Sequence, residues 1–573
     1  MKHVWRLLFA LAALWIAALV QRGVPLAVDE VEFFRATKWI GEGRVPFRDF
    51  WEHHTPLQWF AFAPVARLFG NAPGVGSIVA MRWAQVLLWI AIFALLLLRY
   101  ARRANVNAWP ALVLLLASAT FVRKAVEYRV DVAGNLGFIG AIALVAAGGS
   151  VGRWIGFGAV MSAAVLANMR LAPLVVFTAL LALFRKEERW RFNARALWML
   201  AGVAAIAAPF IAYLMLTGAW APFLEAIFDY NVTSAGLLEV DTFFDALLAP
   251  LWMLDAGGIA FWLAALVGLF LALRERGPLQ FVALIALGSI ATVAVMEVQY
   301  DYHFQTTWLL LVPLAALTVT RWPRLFALVA AGALAIFIVQ LLPSFGAEMQ
   351  YQDDVMIMAD RVTQPEERVF DGSGFAVRRE PAYRYWFLTT GVRMMAQQGL
   401  LAPYDIAADP PAAVIADYRL RVFLEAFPQT ARYATTHYVP LYRNLWVPGM
   451  TAIAGPQPTR VGWIAPRAGR YDVHASAALA THPWLTNPLA YAATAGPLAP
   501  RYAIPLRRLP PLSPDALQWR VDGIAQPRGA STLTLRKGSR VELIATPGRA
   551  AGVLLVPHGT DTLALAPADP FVF

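Results

Sequence analysis

Val86-Leu87-Leu88-Trp89-Ile90-Ala91-Ile92-Phe93-Ala94-Leu95-Leu96-Leu97-Leu98 closes an apolar run that opens near Ser77, and Arg99, Arg102 and Arg103 follow it at once. A helix over residues 77–98 is long enough to cross the roughly 30 Å of a bilayer's hydrocarbon. The arginines directly after it belong to the side where short basic loops are retained, the cytoplasm. Both readings extend along the chain. Comparable runs lie near 4–20, 105–121, 132–148, 155–168, 171–184, 197–217, 250–273, 279–296, 304–320 and 325–342. That predicts about eleven spans. Lys2 and Arg6 precede the first, which reads as an uncleaved anchor because further spans follow it.

Composition agrees. The 573 residues are 59% hydrophobic and 15% charged, with a mean hydropathy of +0.54. A soluble chain is about half apolar and a quarter charged, so the excess must face lipid. The formal charge of +11 does not point to nucleic acid, because the basic residues gather beside apolar runs. With no cysteine, disulfides and thiolate metal sites are excluded.

The basic loops set a topology. Arg185, Lys186, Arg189, Arg191 and Arg195 share one loop, Arg274 and Arg276 another, Arg321 and Arg324 a third. With these and the N-terminus inside, residues 21–76, 122–131, 218–249 and 297–303 face outward, as does everything after about 343. The expected organisation is a polytopic α-helical membrane domain over 1–342, a periplasmic α/β domain over 343–455 and a periplasmic β-rich domain over 456–573. Ala413-Val414-Ile415-Ala416 reads as a buried strand of the second. Gly469-Arg470-Tyr471-Asp472-Val473 and Ser531-Thr532-Leu533-Thr534-Leu535 read as strands of a small sandwich in the third, with Leu509-Pro510-Pro511 a connector.

The outward loops carry unusual polar groups. The first holds Val28-Asp29-Glu30-Val31-Glu32-Phe33-Phe34, then Gly41-Glu42-Gly43-Arg44-Val45-Pro46, then Phe50-Trp51-Glu52-His53-His54-Thr55-Pro56-Leu57, among segments able to form interfacial amphipathic helices. Carboxylates at the hydrocarbon edge are costly unless hydrated or partnered; they mark either a functional site or a solvated loop. The second loop reads Arg123-Lys124-Ala125-Val126-Glu127-Tyr128-Arg129-Val130-Asp131. Its cations, on the side where they are disfavoured, either grip an anion or pair with Glu127, Asp131 or the first loop. Glu297-Val298-Gln299-Tyr300-Asp301-Tyr302-His303 forms a third polar cluster, in which His303 has a structural or a ligand role. Arg170, at the outer end of a short hairpin, is a phosphate ligand or a snorkelling anchor. The acids and histidines could also hold a divalent cation.

The Asp29-Glu30 pair, Gly43-x-x-Pro46-Phe47 and His54-x-Pro56-Leu57 together resemble the first loop of the GT-C membrane glycosyltransferases. The branch is that of bacterial relatives of protein O-mannosyltransferase and aminoarabinose transferase. Arg82, Arg129-x-Asp131 and Tyr302-His303 before Pro313 are similar to later landmarks. The resemblance covers about residues 1–345, and loosely the unit to about 450; the tail after 460 lies outside it. It implies a multi-pass enzyme of the bacterial inner membrane, moving a sugar from a polyprenyl-phosphate donor to a hydroxyl of a glycan, lipid or protein. Asp29 would be the general base, since such a donor's phosphate leaves without a second carboxylic acid. Glu30, His53 and His54 would orient it or bind sugar hydroxyls. Lys124, Arg129, Arg170 and His303, with Asp131 beside them, would form the phosphate side of the site. A transporter would instead place ionisable groups midway along its spans and show repeat symmetry; a non-catalytic envelope assembly protein would not require acids beside lipid.

Overall fold

A computed structural model describes residues 1–101, 105–145, 150–184, 192–237, 255–275, 279–296, 300–442, 444–454, 459–476, 479, 504–505, 517–545, 551–560 and 564–565. Several expectations lie outside these residues: Arg102 and Arg103, the basic residues 185–191, Arg276, positions 238–249 of an outward loop, 297–299, and the Leu509-Pro510-Pro511 connector. The chain forms two compact units, Met1–Ala72 with Gly76–Met349, and Pro73–Val75 with Gln350–Phe573.

The first unit is helical. Its leading helices are α1 (Lys2–Ala18), α2 (Val28–Gly41), α3 (Leu57–Phe69), α4 (Gly76–Leu95), α5 (Trp109–Leu116), α6 (Ala119–Val126), α7 (Val130–Val145), α8 (Val151–Ala167), α9 (Ala172–Leu183) and α10 (Phe192–Leu216). Among the described residues five helical stretches are long and apolar enough to cross a membrane: Lys2–Gly23, Gly76–Leu98, Asn193–Leu216, Ala256–Glu275 and Pro323–Ser344. Val130–Val145, Val151–Ala167, Met169–Leu183 and Gln280–Ala294 are apolar but shorter. At 1.5 Å per residue a helix of 15–17 residues falls short of a full span, so five of the described elements have full spanning length where about eleven spans are expected from the sequence. Gln305–Val319 is buried along nearly its whole length and packs against Ala256–Glu275, Gln280–Ala294 and α5. An element apolar all round belongs in such an interior position.

The span expected over 105–121 is two helices, α5 and α6, bent by 82°. The break has a polar cause. Ser118 caps α6 by accepting the Phe121 N–H, and Asp255 accepts the Ser118 hydroxyl at 3.0 Å, the Thr120 N–H at 2.6 Å and the Gly258 N–H at 2.8 Å. One carboxylate thus satisfies the open starts of α6 and of Ala256–Glu275.

In the second unit β1 (Arg368–Asp371), β2 (Glu380–Pro381), β3 (Ala413–Ile415), β4 (Tyr438–Tyr442) and β5 (Leu445–Pro448) form a mixed sheet in the order β2-β1-β3-β5-β4. The Ala413 run is its fully buried strand β3. Two four-stranded antiparallel sheets follow. Gly469–Ser476 pairs with Thr532–Leu535 and Ala551–Pro557 in one; Arg540–Ala545 pairs with Thr459–Ile464 and Leu517–Val521 in the other. Trp463, Trp519, Val541 and Leu543 from one sheet and Tyr471, Leu533, Val553 and Leu555 from the other share a single core, the packing of a sandwich.

Close helix approach in the first unit depends on glycine. A Cβ on Gly202 of α10 would lie 1.9 Å from the Ile155 carbonyl oxygen of α8, whereas one on Gly152 would meet nothing. Gly202→Ala therefore forces the two helices apart and is expected to cost about 1–3 kcal/mol. Gly152→Ala should be neutral or slightly stabilising. Thermal unfolding of the two variants in detergent measures the contrast, and equal midpoints would contradict the packing.

Candidate functional site

The first turn of α2 carries Asp29, Glu30 and, one turn on, Glu32. Acids are favoured at this end of a helix by the backbone dipole. Glu30 is fully buried. Its oxygens accept Nε and Nη2 of Arg82 at 2.7 and 2.6 Å, the Tyr128 N–H at 2.7 Å and the Ala27 N–H at 2.9 Å. Arg82 also donates to the Val24 and Pro25 carbonyls. The acceptor positions of Glu30 are thus filled by protein, so an expected sugar hydroxyl would find no free oxygen on it. This buried pair fastens α2 to α4, to the chain leaving the first helix and to the segment before α7.

Asp29 points elsewhere and keeps 27% of its side chain exposed. The guanidinium of Arg129 meets Asp29 and Asp131 at 3.0 Å and Glu127 at 3.2 Å, and lies 3.8 Å from the centre of the Tyr302 ring. Lys124 pairs with Glu127 at 2.8 Å. Of the alternatives open for Lys124 and Arg129, the ion pairs are the ones present. Asp131 also accepts from Asn168 at 2.9 Å.

Arg170 is different. It follows Asn168, whose side chain accepts the Arg170 N–H, in the short turn between α8 and α9. Its guanidinium lies 5.4 Å from the Tyr302 ring, and among the described residues it pairs with no carboxylate. It lines a small cavity together with Asp131, Asn135, Asn168, Tyr302 and His303. The sequence thus reached Asp29, Arg129, Asp131, Arg170 and His303, which converge here. Asn168 and the stacking role of Tyr302 were not foreseen; the position of Asn168 at the hairpin tip beside Arg170 is the one local signal for it.

His53 and His54 form a second cluster, with Glu32 and Glu52. Their ligand-capable atoms all lie within 4.8 Å of one another. Burial and the neighbouring Glu52 push the Glu32 carboxyl well above the ordinary carboxylate range. Burial also works to raise Glu52, but the imidazoles of His53 and His54 outweigh it and bring it to about 2. Burial opposes charge on His53, yet Glu32 and Glu52 raise it to about 9, while burial and the charge on His53 lower His54 to about 4. Glu32 and Glu52 were quoted in sequence without a role; only the folding of residues 42–56 back onto α2 joins them.

No protein-family model matches this sequence, and no curated protein does. Solved structures do. ArnT from Cupriavidus metallidurans in the apo state aligns with a TM-score of 0.55 at 14% identity, over 77% of this chain and 97% of that one. The same protein bound to undecaprenyl phosphate aligns with a TM-score of 0.51 at 13% identity, over 95% and 99%. The chain therefore shares the fold of ArnT while retaining only about one residue in seven of it, and the landmarks of the first loop lie in its helical unit.

Removing one partner of a buried ion pair leaves the other uncompensated, at a cost of about 3–5 kcal/mol. Glu30→Ala and Arg82→Ala should each lose most of their stably folded protein, and Glu30→Gln should lower the thermal midpoint measurably. Size-exclusion profiles and unfolding curves in detergent give the readout; wild-type behaviour of Glu30→Gln would mean that Arg82 finds compensation elsewhere.

Proposed function

We propose that this chain is a glycosyltransferase of the bacterial inner membrane. It moves a sugar from a polyprenyl-phosphate donor to an acceptor hydroxyl at the outer face, with Asp29 as general base. The observation that carries the reading is Arg170, a guanidinium with no carboxylate partner among the described residues, lining a cavity that it shares with Asp131, in turn joined to Asp29 through Arg129. The fold shared with ArnT and the undecaprenyl phosphate bound by that protein support the donor class.

In this reading the acceptor oxygen forms the new bond to the anomeric carbon. The bond from that carbon to the phosphate oxygen breaks, and its electron pair leaves with the phosphate. Asp29 takes the hydroxyl proton. Arg170 meets the negative charge that grows on the phosphate, with Tyr302 and His303 beside it; a fixed cation is most effective where charge develops. Arg129 is a positioning residue, holding Asp29 by an ion pair whose charge is shared with Asp131 and Glu127. The positive-inside pattern supports a topology with the N-terminus inside and the domains 343–455 and 456–573 in the periplasm.

Asp29→Asn keeps the shape but cannot accept a proton, so turnover should fall by about 10²–10⁴-fold while donor binding stays near wild type. Transfer from a polyprenyl-phosphate sugar in proteoliposomes measures the rate, and mass spectrometry of envelope glycans and glycolipids from cells carrying either form identifies the product. Near-normal turnover in Asp29→Asn would end the general-base assignment.

Arg170→Ala should weaken donor binding and slow transfer together. Arg170→Lys should restore it only partly, because lysine lacks the planar fork. Binding of undecaprenyl phosphate to the purified variants tests this directly; unchanged affinity in Arg170→Ala would make Arg170 an anchor and leave the phosphate to other groups.

A further inference from the structure

Glu32 and Glu52 are almost fully excluded from solvent, at 1% and 0% exposure. Nδ1 of His53 lies 3.3 Å from Oε1 of Glu32 and 3.4 Å from Oε1 of Glu52; Nδ1 of His54 lies 3.7 and 2.9 Å from the same oxygens. Bonds of about 2.0–2.1 Å to a tetrahedral zinc ion place neighbouring donor atoms roughly 3.3–3.4 Å apart. The four groups therefore stand close to the edges of such a tetrahedron.

A second observation is independent of that spacing. Oε2 of Glu52 is buried with no hydrogen-bond partner, and Oε1 of Glu32 and Nδ1 of His53, also buried, face each other without making a hydrogen bond. Buried carboxylate oxygens and imidazole nitrogens left in this way are costly unless something else meets them. Two carboxylates and two neutral imidazoles bring two negative charges, which a divalent ion cancels. Outer contacts also fit. Oε1 of Glu52 accepts the backbone N–H groups of His53 and His54 at 2.8 and 3.3 Å, which fixes that carboxylate. The His53 ring stacks on Trp51, and the His54 ring meets Phe33 edge-on. Ligand rings and carboxylates held by surrounding groups are typical of metal sites.

We propose that Glu32, Glu52, His53 and His54 hold one divalent transition-metal cation of the zinc class. Mixed imidazole and carboxylate donors select such an ion over magnesium or calcium, which take oxygen ligands in larger number. Four protein ligands fill the coordination sphere, so the ion is structural rather than a Lewis acid for the reaction. It pins the stretch before α3 to α2 one turn beyond Asp29, and so fixes the helix turn that presents Asp29.

The test needs no donor or acceptor, and so stands apart from the transferase reading. The full-length protein, purified in detergent, should contain zinc by elemental mass spectrometry. Stripping it with a chelator should lower the thermal midpoint, and zinc, but not magnesium, should restore it. Glu52→Gln and His54→Ala should weaken zinc binding by at least the roughly 10–100-fold that loss of an outer-shell partner costs. If these variants do not fold, zinc titrated into stripped wild-type protein still decides. Absence of co-purified metal together with no midpoint shift on adding zinc would overturn the site, and equal restoration by magnesium would overturn the class of ion.

Discussion

The buried pair of Glu30 and Arg82 is the constraint on which the rest of the site depends. Two opposite charges are wholly removed from water, and such a pair is stable only when its geometry is good and the remaining donors and acceptors are satisfied. Here they are: Glu30 takes two backbone N–H groups besides the guanidinium, and Arg82 gives two further bonds to carbonyls. The backbone partners come from two parts of the chain, residues 24–27 and Tyr128. The pair therefore holds together the start of α2, the segment before it, α4 and the approach to α7. Asp29 directly precedes Glu30 and Arg129 directly follows Tyr128, so their meeting is set by the same fastening.

Charge around the cavity is divided unequally between two arginines. Arg129 faces Asp29, Glu127 and Asp131, an arrangement with more negative than positive charge. Arg170 lies near Tyr302 and shares its cavity with Asp131, but among the described residues no carboxylate comes within salt-bridge distance of it. The Tyr302 ring lies against both guanidinium groups. Three carboxylates share Arg129, whereas none of those described reaches Arg170. This unequal division is what assigns an anion to Arg170 and a proton to Asp29 in the proposed reaction.

Much of this was legible in sequence where the signal is local. Apolar runs, the strands at Gly469–Val473 and Ser531–Leu535, and the lone Arg170 between two apolar helices all declare themselves within a few residues. The bend between α5 and α6 does not, because the carboxylate that caps it lies 137 residues away from Ser118. The partners of Arg129 were among those considered, but Coulomb preference alone could not choose between a ligand and nearby acids. The partner of Glu30 is hidden for a related reason: Arg82 sits 52 residues on, inside an apolar run where it reads as an isolated landmark. Glu32 and Glu52 stand among other polar residues, and only the return of the loop onto α2 distinguishes them.

One helical turn explains why three acids so close in sequence can do three different things. Successive residues of a helix are rotated by about 100°, so Glu30 points away from Asp29, while Glu32, one turn on, lies on the same side of the helix as Asp29. Glu30 turns inward to Arg82 and is sealed. Glu32 faces the two histidines and Glu52. Asp29 faces Arg129 and keeps contact with solvent. Asp29 and Glu32, one turn apart, raise one another's energy as ionised groups, and Asp29 is one of the charges that push the Glu32 carboxyl up. Their side chains nevertheless find different partners, Arg129 for Asp29 and the two histidines for Glu32. The Asp29-Glu30-x-Glu32 spacing thus leaves one partly accessible carboxylate beside two that are buried.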